Sequence, residues 1–126
     1  MKFGVHERPT LAIAAMLRLA PVARTHHGGD RVAEARIAIG CVNPRPMRMA
    51  GAEARLTGAS VTDLEHAARE ASDVAAAAVD PADDLYGSAD YKREMVAVFV
   101  RRALRVAAAR ARGAEPVARF PHAVVA

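Results

Sequence analysis

A chain of 126 residues has room for one domain and none for a second, since domains most often span about 100 to 150 residues. Its composition, 52% hydrophobic and 25% charged, is typical of a globular protein and excludes a disordered chain. The net charge of +4 is carried almost wholly by arginine, and because acids such as Glu53 alternate with the arginines we expect an ordinary solvated surface rather than a dense basic patch.

Two segments alternate apolar residues at every second position, the period that places the side chains of a strand on one face. The first strand is predicted over Leu11 to Leu19 and the second over Val32 to Cys41, with Cys41 on the apolar side. The turn-forming residues 25–30 between them favour an antiparallel hairpin with a long loop. Two prolines within residues 43–46 restrict the next stretch to an edge strand or an extended arm.

The second half of the chain changes to helical spacing. Residues 52–56 predict a short helix that Gly58 ends. Thr62 and Glu65 then have the spacing of a capping box, in which both side chains satisfy free backbone amides at a helix start. This second helix is predicted to end at the Asp-Pro pair that follows its apolar stripe.

Ser88 is placed to cap a third, longer helix that runs to about Ala111. We expect residues 1–112 to form the domain and residues 113–126 an extended tail. Two or three strands followed by three helices bury their apolar sides most simply as a small antiparallel sheet with helices on one face. The predicted class is therefore α+β.

No arrangement of residues indicates catalysis. His26 and His27 lack a third ligand at a suitable spacing, so no metal site is expected. Cys41 is expected to be buried and unreactive, and as the single cysteine it excludes an intramolecular disulfide. The aspartates within residues 80–90 are better interpreted as helix caps than as cation ligands. We expect the ring of Tyr91 to close the edge of the core.

Two separated motifs nevertheless resemble those of one family. Residues 35–48 are similar to a segment in which an alternating strand ends at glycine and runs into a Pro-x-Arg turn, and residues 53–58 match the Glu, Leu and Gly of the helix that follows it. Residues 84–93 are similar to the family's aspartate, Gly-Ser and Tyr-basic-basic signature. Over residues 10–111 the chain thus resembles the C-terminal domain of the flavin-carrying subunit of molybdenum hydroxylases, the group of carbon monoxide and xanthine dehydrogenases.

This resemblance implies a three-stranded antiparallel sheet packed against three helices. It also implies an oxidoreductase in which electrons pass from a molybdenum cofactor through iron-sulfur clusters to FAD, which the preceding domains of the subunit hold. The chain begins without a glycine-rich FAD-binding segment, and residues 8–10 stand where many relatives have an aromatic residue near the flavin. We therefore expect FAD only in a complex with a separate FAD-binding chain. Cys41 stands where glycine is common, and Lys92 stands where arginine is common.

The motifs select five residues as an interface toward an FAD-binding chain or toward molybdenum and iron-sulfur subunits. None of them is assigned to catalysis. They are Arg45, Arg48, Ser88, Tyr91 and Arg93.

An alternative function is a non-enzymatic basic module. Its arginine face would comprise Arg101, Arg105 and Arg112 and would bind an acidic protein or nucleic acid with a steep salt dependence. A truncated gene product without activity is a further alternative. The N-terminus carries no signal-peptide pattern and the chain no run of about 20 apolar residues, so we expect a cytoplasmic protein without a membrane partner.

Overall fold

The computed structural model describes residues 1–3, 9–21, 29–116 and 123–125. Within them the chain forms one sheet and three helices, which confirms the α+β class. The strands are β1 Lys2–Phe3, β2 Leu11–Ala20, β3 Arg31–Gly40, β4 Met47–Arg48 and β5 Ala123–Val124. The helices are α1 Ala50–Leu56, α2 Leu64–Ala78 and α3 Ala89–Ala111.

The long strands β2 and β3 form the centre of the sheet and confirm the two predicted strands. They pair antiparallel, with Ile13 opposite Ile39 and Leu17 opposite Ala35, so their apolar side chains meet on one face. The sheet order is β4-β3-β2-β1-β5, and every pair is antiparallel. The predicted loop at residues 25–30 and the histidine pair within it fall largely outside the described residues.

The described sheet has five strands where three were expected. The difference comes from β1 and β5, which extend the sheet beyond β2 although each has only two residues. A pair of residues is too short to show a period of two, so the sequence could not reveal these strands. Since β5 belongs to the predicted tail, part of that segment pairs with the sheet. The division of the chain at residue 112 stays a prediction.

The helices cover one face of the sheet in two layers. Helix α1 contacts β3 and α3 contacts β2, while α2 packs against both of these helices. The ring of Phe99 on α3 lies 4.6 Å, centroid to centroid, from that of Phe3 on β1. No helix among the described residues is both long enough and apolar enough to cross a membrane. The largest fully buried side chains include Leu11, Ile37, Ile39, Leu56, Val96, Val100 and Leu104.

The predicted capping box at Thr62 is wrong. The hydroxyl of Ser60 accepts the N–H of Thr62 at 3.3 Å and starts a single 3-10 turn, after which α2 begins at Leu64. Glu65 does not reach back to the helix start, because its carboxylate pairs with Arg105 of α3. A charged partner on the neighbouring helix thus takes the carboxylate that a local backbone amide was expected to bind.

The prediction that Cys41 is buried on a strand is also wrong. Strand β3 ends at Gly40, and Cys41 is exposed with a φ of 73°. This left-handed backbone conformation turns the chain out of the sheet, so the side chain no longer follows the alternation of Ile37 and Ile39. Glycine adopts such a φ without strain, which gives a physical reason for the glycine common at this position in the family that the sequence resembles.

Candidate interface site

The turn between α2 and α3 is built by side chains that bind its own backbone. Asp83 accepts the N–H of Ala89 at 2.6 Å, and the hydroxyl of Ser88 accepts the N–H of Tyr91 at 3.1 Å. Both bonds satisfy amides at the start of α3 that have no partner within the helix. The capping role predicted for Ser88 and for the aspartates of this turn is therefore confirmed at these two residues.

Lys92 of α3 binds the turn through its ammonium group. Its side chain is buried, and its Nζ donates to the carbonyl of Ala82 at 2.7 Å and pairs with Asp84 Oδ1 at 2.7 Å. A buried ammonium group is stable only when it is paired and hydrogen-bonded, and both partners here belong to the turn. The lysine that stands where arginine is common therefore ties α3 to the segment that precedes it.

Gly87 shapes the tip of the turn. Its φ is 131°, and a Cβ at this position would lie 2.7 Å from Cδ1 of Tyr91. The ring of Tyr91 consequently lies against the turn and stays 40% exposed, so the expectation that it closes the core edge is wrong. The packing of the ring against a glycine backbone leaves no room for a side chain there. Leu85, two residues earlier, is fully exposed.

The Pro-x-Arg turn of the first motif lies beside the turn between α2 and α3. Asn43 Oδ1 accepts the N–H of Asp80 at 3.0 Å, which joins residues 41–46 to the segment after α2. Arg93 lies 3.6 Å from Asp80 and 3.0 Å from Asp90, so its guanidinium group links the same segment to α3. We call residues 41–46 and 79–91 the loop end of the domain. Arg45 is exposed within it.

Arg48 belongs to a different cluster, centred on Glu53. Glu53 was expected to be solvated, but its side chain on α1 is buried. Arg48 Nε donates to both carboxylate oxygens of Glu53, at 2.9 and 3.1 Å, and Arg48 Nη2 donates to one of them at 2.7 Å. Glu53 Oε1 also accepts the N–H of Ile37 at 2.9 Å. The backbone N–H of Met49 donates to the carbonyl of the same Ile37. The carboxylate of Glu53 therefore takes the place of a strand carbonyl as the acceptor for Ile37, at the point where β4 ends.

The electrostatics of this pair follow from its bonds. The hydrogen bonds from Arg48 hold the pKa of Glu53 below its ordinary value, with desolvation acting in the opposite direction. The same bonds raise the pKa of Arg48. Arg36 lies 3.9 Å from Glu53 and 2.6 Å from Glu34, so acids and arginines alternate across the open face of the sheet. The alternation leaves little unbalanced charge there.

A shallow hollow of about 260 Å³ lies on this open face, which the helices do not cover. Its floor consists of small side chains from the central strands, and the guanidinium groups of two arginines border it. The residues that shape it include Ala14, Ala38, Met16, Arg36 and Arg48. Arg48 thus borders an apolar surface instead of the loop end.

The arginine face of the alternative function is partly neutralised. Arg105 pairs with Glu65, and this hydrogen bond lowers the pKa of Glu65 below its ordinary value. Arg112 Nε donates to the carbonyl of Ala108 at 3.1 Å. Since one of the three arginines is paired with a carboxylate, the face is not the dense positive surface that phosphate binding favours.

The start of α3 does not fit a phosphate group such as the pyrophosphate of FAD. The amides at the start of α3, which would be the natural phosphate ligands, bind Asp83 and Ser88 instead. Further carboxylates around this helix start would repel a phosphate. Among the described residues no three His, Cys, Asp or Glu side chains are grouped to hold a metal ion.

Of the predicted interface residues, the fold brings Ser88, Tyr91 and Arg93 together and places Arg45 across the Asn43–Asp80 bond from them. Sequence reasoning missed Asn43, whose side chain joins the first motif to the segment that precedes the second, because nothing in a single sequence marks a contact 37 residues away. It also missed the burial of Glu53, although the position matches the glutamate of the resembled family.

Comparison with known proteins agrees with the sequence motifs. Residues 3–107 match the family described as CO dehydrogenase flavoprotein C-terminal domain. The chain is 43% identical over 82 residues to the carbon monoxide dehydrogenase medium chain of Hydrogenophaga pseudoflava. The aligned region covers 65% of this chain and 28% of that protein.

Solved structures show the same fold. Quinoline 2-oxidoreductase from Pseudomonas putida 86 superposes with a TM-score of 0.74 at 25% identity over 88% of this chain and 36% of that one. The Hydrogenophaga pseudoflava carbon monoxide dehydrogenase that lacks the Mo-pyranopterin moiety gives a TM-score of 0.60 at 33% identity, covering 76% and 37%. The chain therefore spans about a third of the length of the relatives it matches.

Proposed function

Because this chain belongs to the family of CO dehydrogenase flavoprotein C-terminal domains, we propose that it completes an FAD-dependent subunit of a molybdenum hydroxylase-type oxidoreductase in the cytoplasm. The domain serves assembly of the subunit. FAD is bound by the remaining part of the subunit, which the longer relatives contain and this chain does not. Its own residues carry no catalytic step. The substrate is bound elsewhere in such a complex.

The observation that carries this proposal is the family match over residues 3–107 together with the fold shared with oxidoreductase chains. The geometry of the loop end supports an assembly role. The side chains of Asp83, Asp84 and Ser88 accept hydrogen bonds from nearby backbone amides, which fixes the surface that they form. We propose that Arg45, Ser88, Tyr91 and Arg93 belong to the interface.

Arg48 contributes to that interface indirectly. Its side chain is more than half exposed, yet Nε and Nη2 of its guanidinium group are bound to Glu53. We propose that it fixes β4, which follows residues 41–46 of the loop end, and does not itself contact the partner.

Co-purification tests the proposal. The tagged 126-residue chain is isolated from its native cells, and the proteins that accompany it are identified by peptide mass. We expect an FAD-binding chain, with or without molybdenum and iron-sulfur subunits. Recovery of nucleic acid or unrelated acidic proteins alone, lost on replacing Arg101, Arg105 and Arg112, would favour the basic module instead.

A further inference from the structure

The tip of the turn between α2 and α3 carries an apolar surface that the domain itself does not cover. Leu85 is fully exposed, and Tyr86 and Tyr91 are 37% and 40% exposed. Single exposed apolar residues are ordinary on protein surfaces. Here three of them lie within residues 85–91, in the turn and in the first residues of α3, and tyrosine is a residue type that interfaces favour. We name Leu85, Tyr86 and Tyr91 the apolar tip.

The backbone of the apolar tip is held on both sides of Leu85. Asp84 Oδ1 accepts the N–H of Tyr86 at 2.8 Å, and the backbones of Asp84 and Gly87 exchange two hydrogen bonds of 3.2 and 3.1 Å. Below them, Lys92 holds the carboxylate of Asp84. A side chain presented on a fixed backbone loses little conformational freedom when it is bound, which lowers the cost of association.

The charge around the tip differs from that of the whole chain. Residues 80–93 contain four aspartates and two basic residues, which gives a net charge of −2, whereas the complete chain has a net charge of +4. Lys92 is paired with Asp84, and Arg93 with Asp80 and Asp90. Both basic charges are thus bound to aspartates of the same segment, and the charge that remains is negative. A partner surface complementary to the tip is therefore apolar at its centre and basic at its rim.

The same tip belongs to a domain that makes up only 36% of the quinoline 2-oxidoreductase chain it resembles. Most of the polypeptide of such a subunit thus lies outside the domain and has to contact it through some part of its surface. Ser88 and Tyr91, already proposed for the interface, lie at the start of α3, directly after the turn that carries Leu85.

We propose that Leu85 is the anchor of this contact, inserting with Tyr86 and Tyr91 into an apolar socket with a basic rim on the FAD-binding part of the subunit. The inference rests on the proposed function and adds the residues and the partner surface through which assembly occurs. Leu85 fills the centre of the socket, and the basic rim is opposite the net negative charge of residues 80–93.

Binding of the captured FAD-binding chain, identified by peptide mass and by flavin absorbance, tests the anchor. Leu85→Ser removes the apolar side chain, whereas Leu85→Met keeps one of similar volume. Met16→Ser is the matched control, because Met16 is also exposed, at 42%, but lies on the open face of the sheet. Since Leu85 makes no buried contact, Leu85→Ser leaves the thermal unfolding temperature unchanged, and any loss of binding is not a loss of fold.

We expect Leu85→Ser to weaken binding of the FAD-binding chain about tenfold or more, as replacement of an interface anchor does, and Leu85→Met and Met16→Ser to bind like the wild type. Equal binding by Leu85→Ser and the wild type, or a loss confined to Met16→Ser, overturns the anchor while the proposed function stands. If the wild-type chain captures no FAD-binding chain, both the anchor and the proposed function are refuted. Binding that does not weaken as salt is added contradicts the basic rim.

Discussion

Replacement of Glu53 tests the most unusual contact of the fold, a buried carboxylate that continues the edge of a strand. In Glu53→Ala the N–H of Ile37 stays buried without its acceptor, which costs about 1–3 kcal/mol. Loss of the buried side-chain volume adds to this. Since domains are stable by only about 5–15 kcal/mol, urea unfolding followed by circular dichroism resolves the change readily.

Glu53→Gln separates the two bonds of this carboxylate. The amide oxygen of glutamine can still accept the N–H of Ile37, but its NH2 group then replaces the oxygen that accepts from Arg48 Nη2. The variant therefore keeps the bond to the strand and loses the charge pairing and a hydrogen bond with Arg48. We expect it to be destabilised less than Glu53→Ala. Glu115→Ala is the control, because Glu115 is an exposed carboxylate paired with Arg110, and its removal changes stability by no more than about 0.5 kcal/mol.

The pH dependence of the same variants follows from the lowered pKa of Glu53. A carboxyl whose pKa is lower in the folded state contributes stability above its unfolded pKa, about 4.3, and loses that contribution as the pH falls through the lowered folded value. The difference between the wild type and Glu53→Gln is thus constant near neutral pH and shrinks below about pH 4. Stability of Glu53→Ala equal to that of the wild type, or a difference that does not change in acid, refutes the proposed bonds.

Three further substitutions test the turn and the end of β3. Gly87→Ala destabilises the domain by about 1–3 kcal/mol, because its backbone conformation and the ring of Tyr91 both exclude a side chain; Gly113→Ala, at a φ of 79° with open space around it, costs less in the same urea titration. Cys41→Gly raises stability by up to about 1 kcal/mol in thermal unfolding, and a loss of stability would contradict the strain at this residue. Lys92→Met leaves a buried carbonyl without its donor and costs about 1–3 kcal/mol, whereas Lys92→Arg, which keeps the charge, retains more of the stability; equal effects of the two variants would contradict the paired ammonium group.

The sequence predicts the fold where a period repeats often enough to be recognised. The ten-residue strands β2 and β3 and the long helix α3 each present several turns or pleats, and their predicted bounds agree with the structure to within about two residues. Strands of two residues, such as β1 and β5, have no period, and their pairing depends on contacts with distant parts of the chain. Those contacts are a property of the folded chain.

The candidate site was predictable only in part for a related reason. Ser88 has a local signal, because a capping residue acts on amides two or three residues away. Glu53 has none, since its partners Ile37 and Arg48 become neighbours only when α1 packs on the sheet. The capping box at Thr62 failed in the same way, because an arginine from another helix competed for the glutamate. Composition and local spacing cannot show which distant charge will win such a competition.

The flavin content of the co-purified complex tests the central claim most directly. The tagged chain is isolated from its native cells, and the eluate is measured for flavin by its visible absorption and for chain by quantitative amino-acid analysis. If the chain completes an FAD-dependent subunit, the eluate contains about one flavin for each chain, on a partner polypeptide that separates from it on denaturation. A colourless chain that elutes alone contradicts the account.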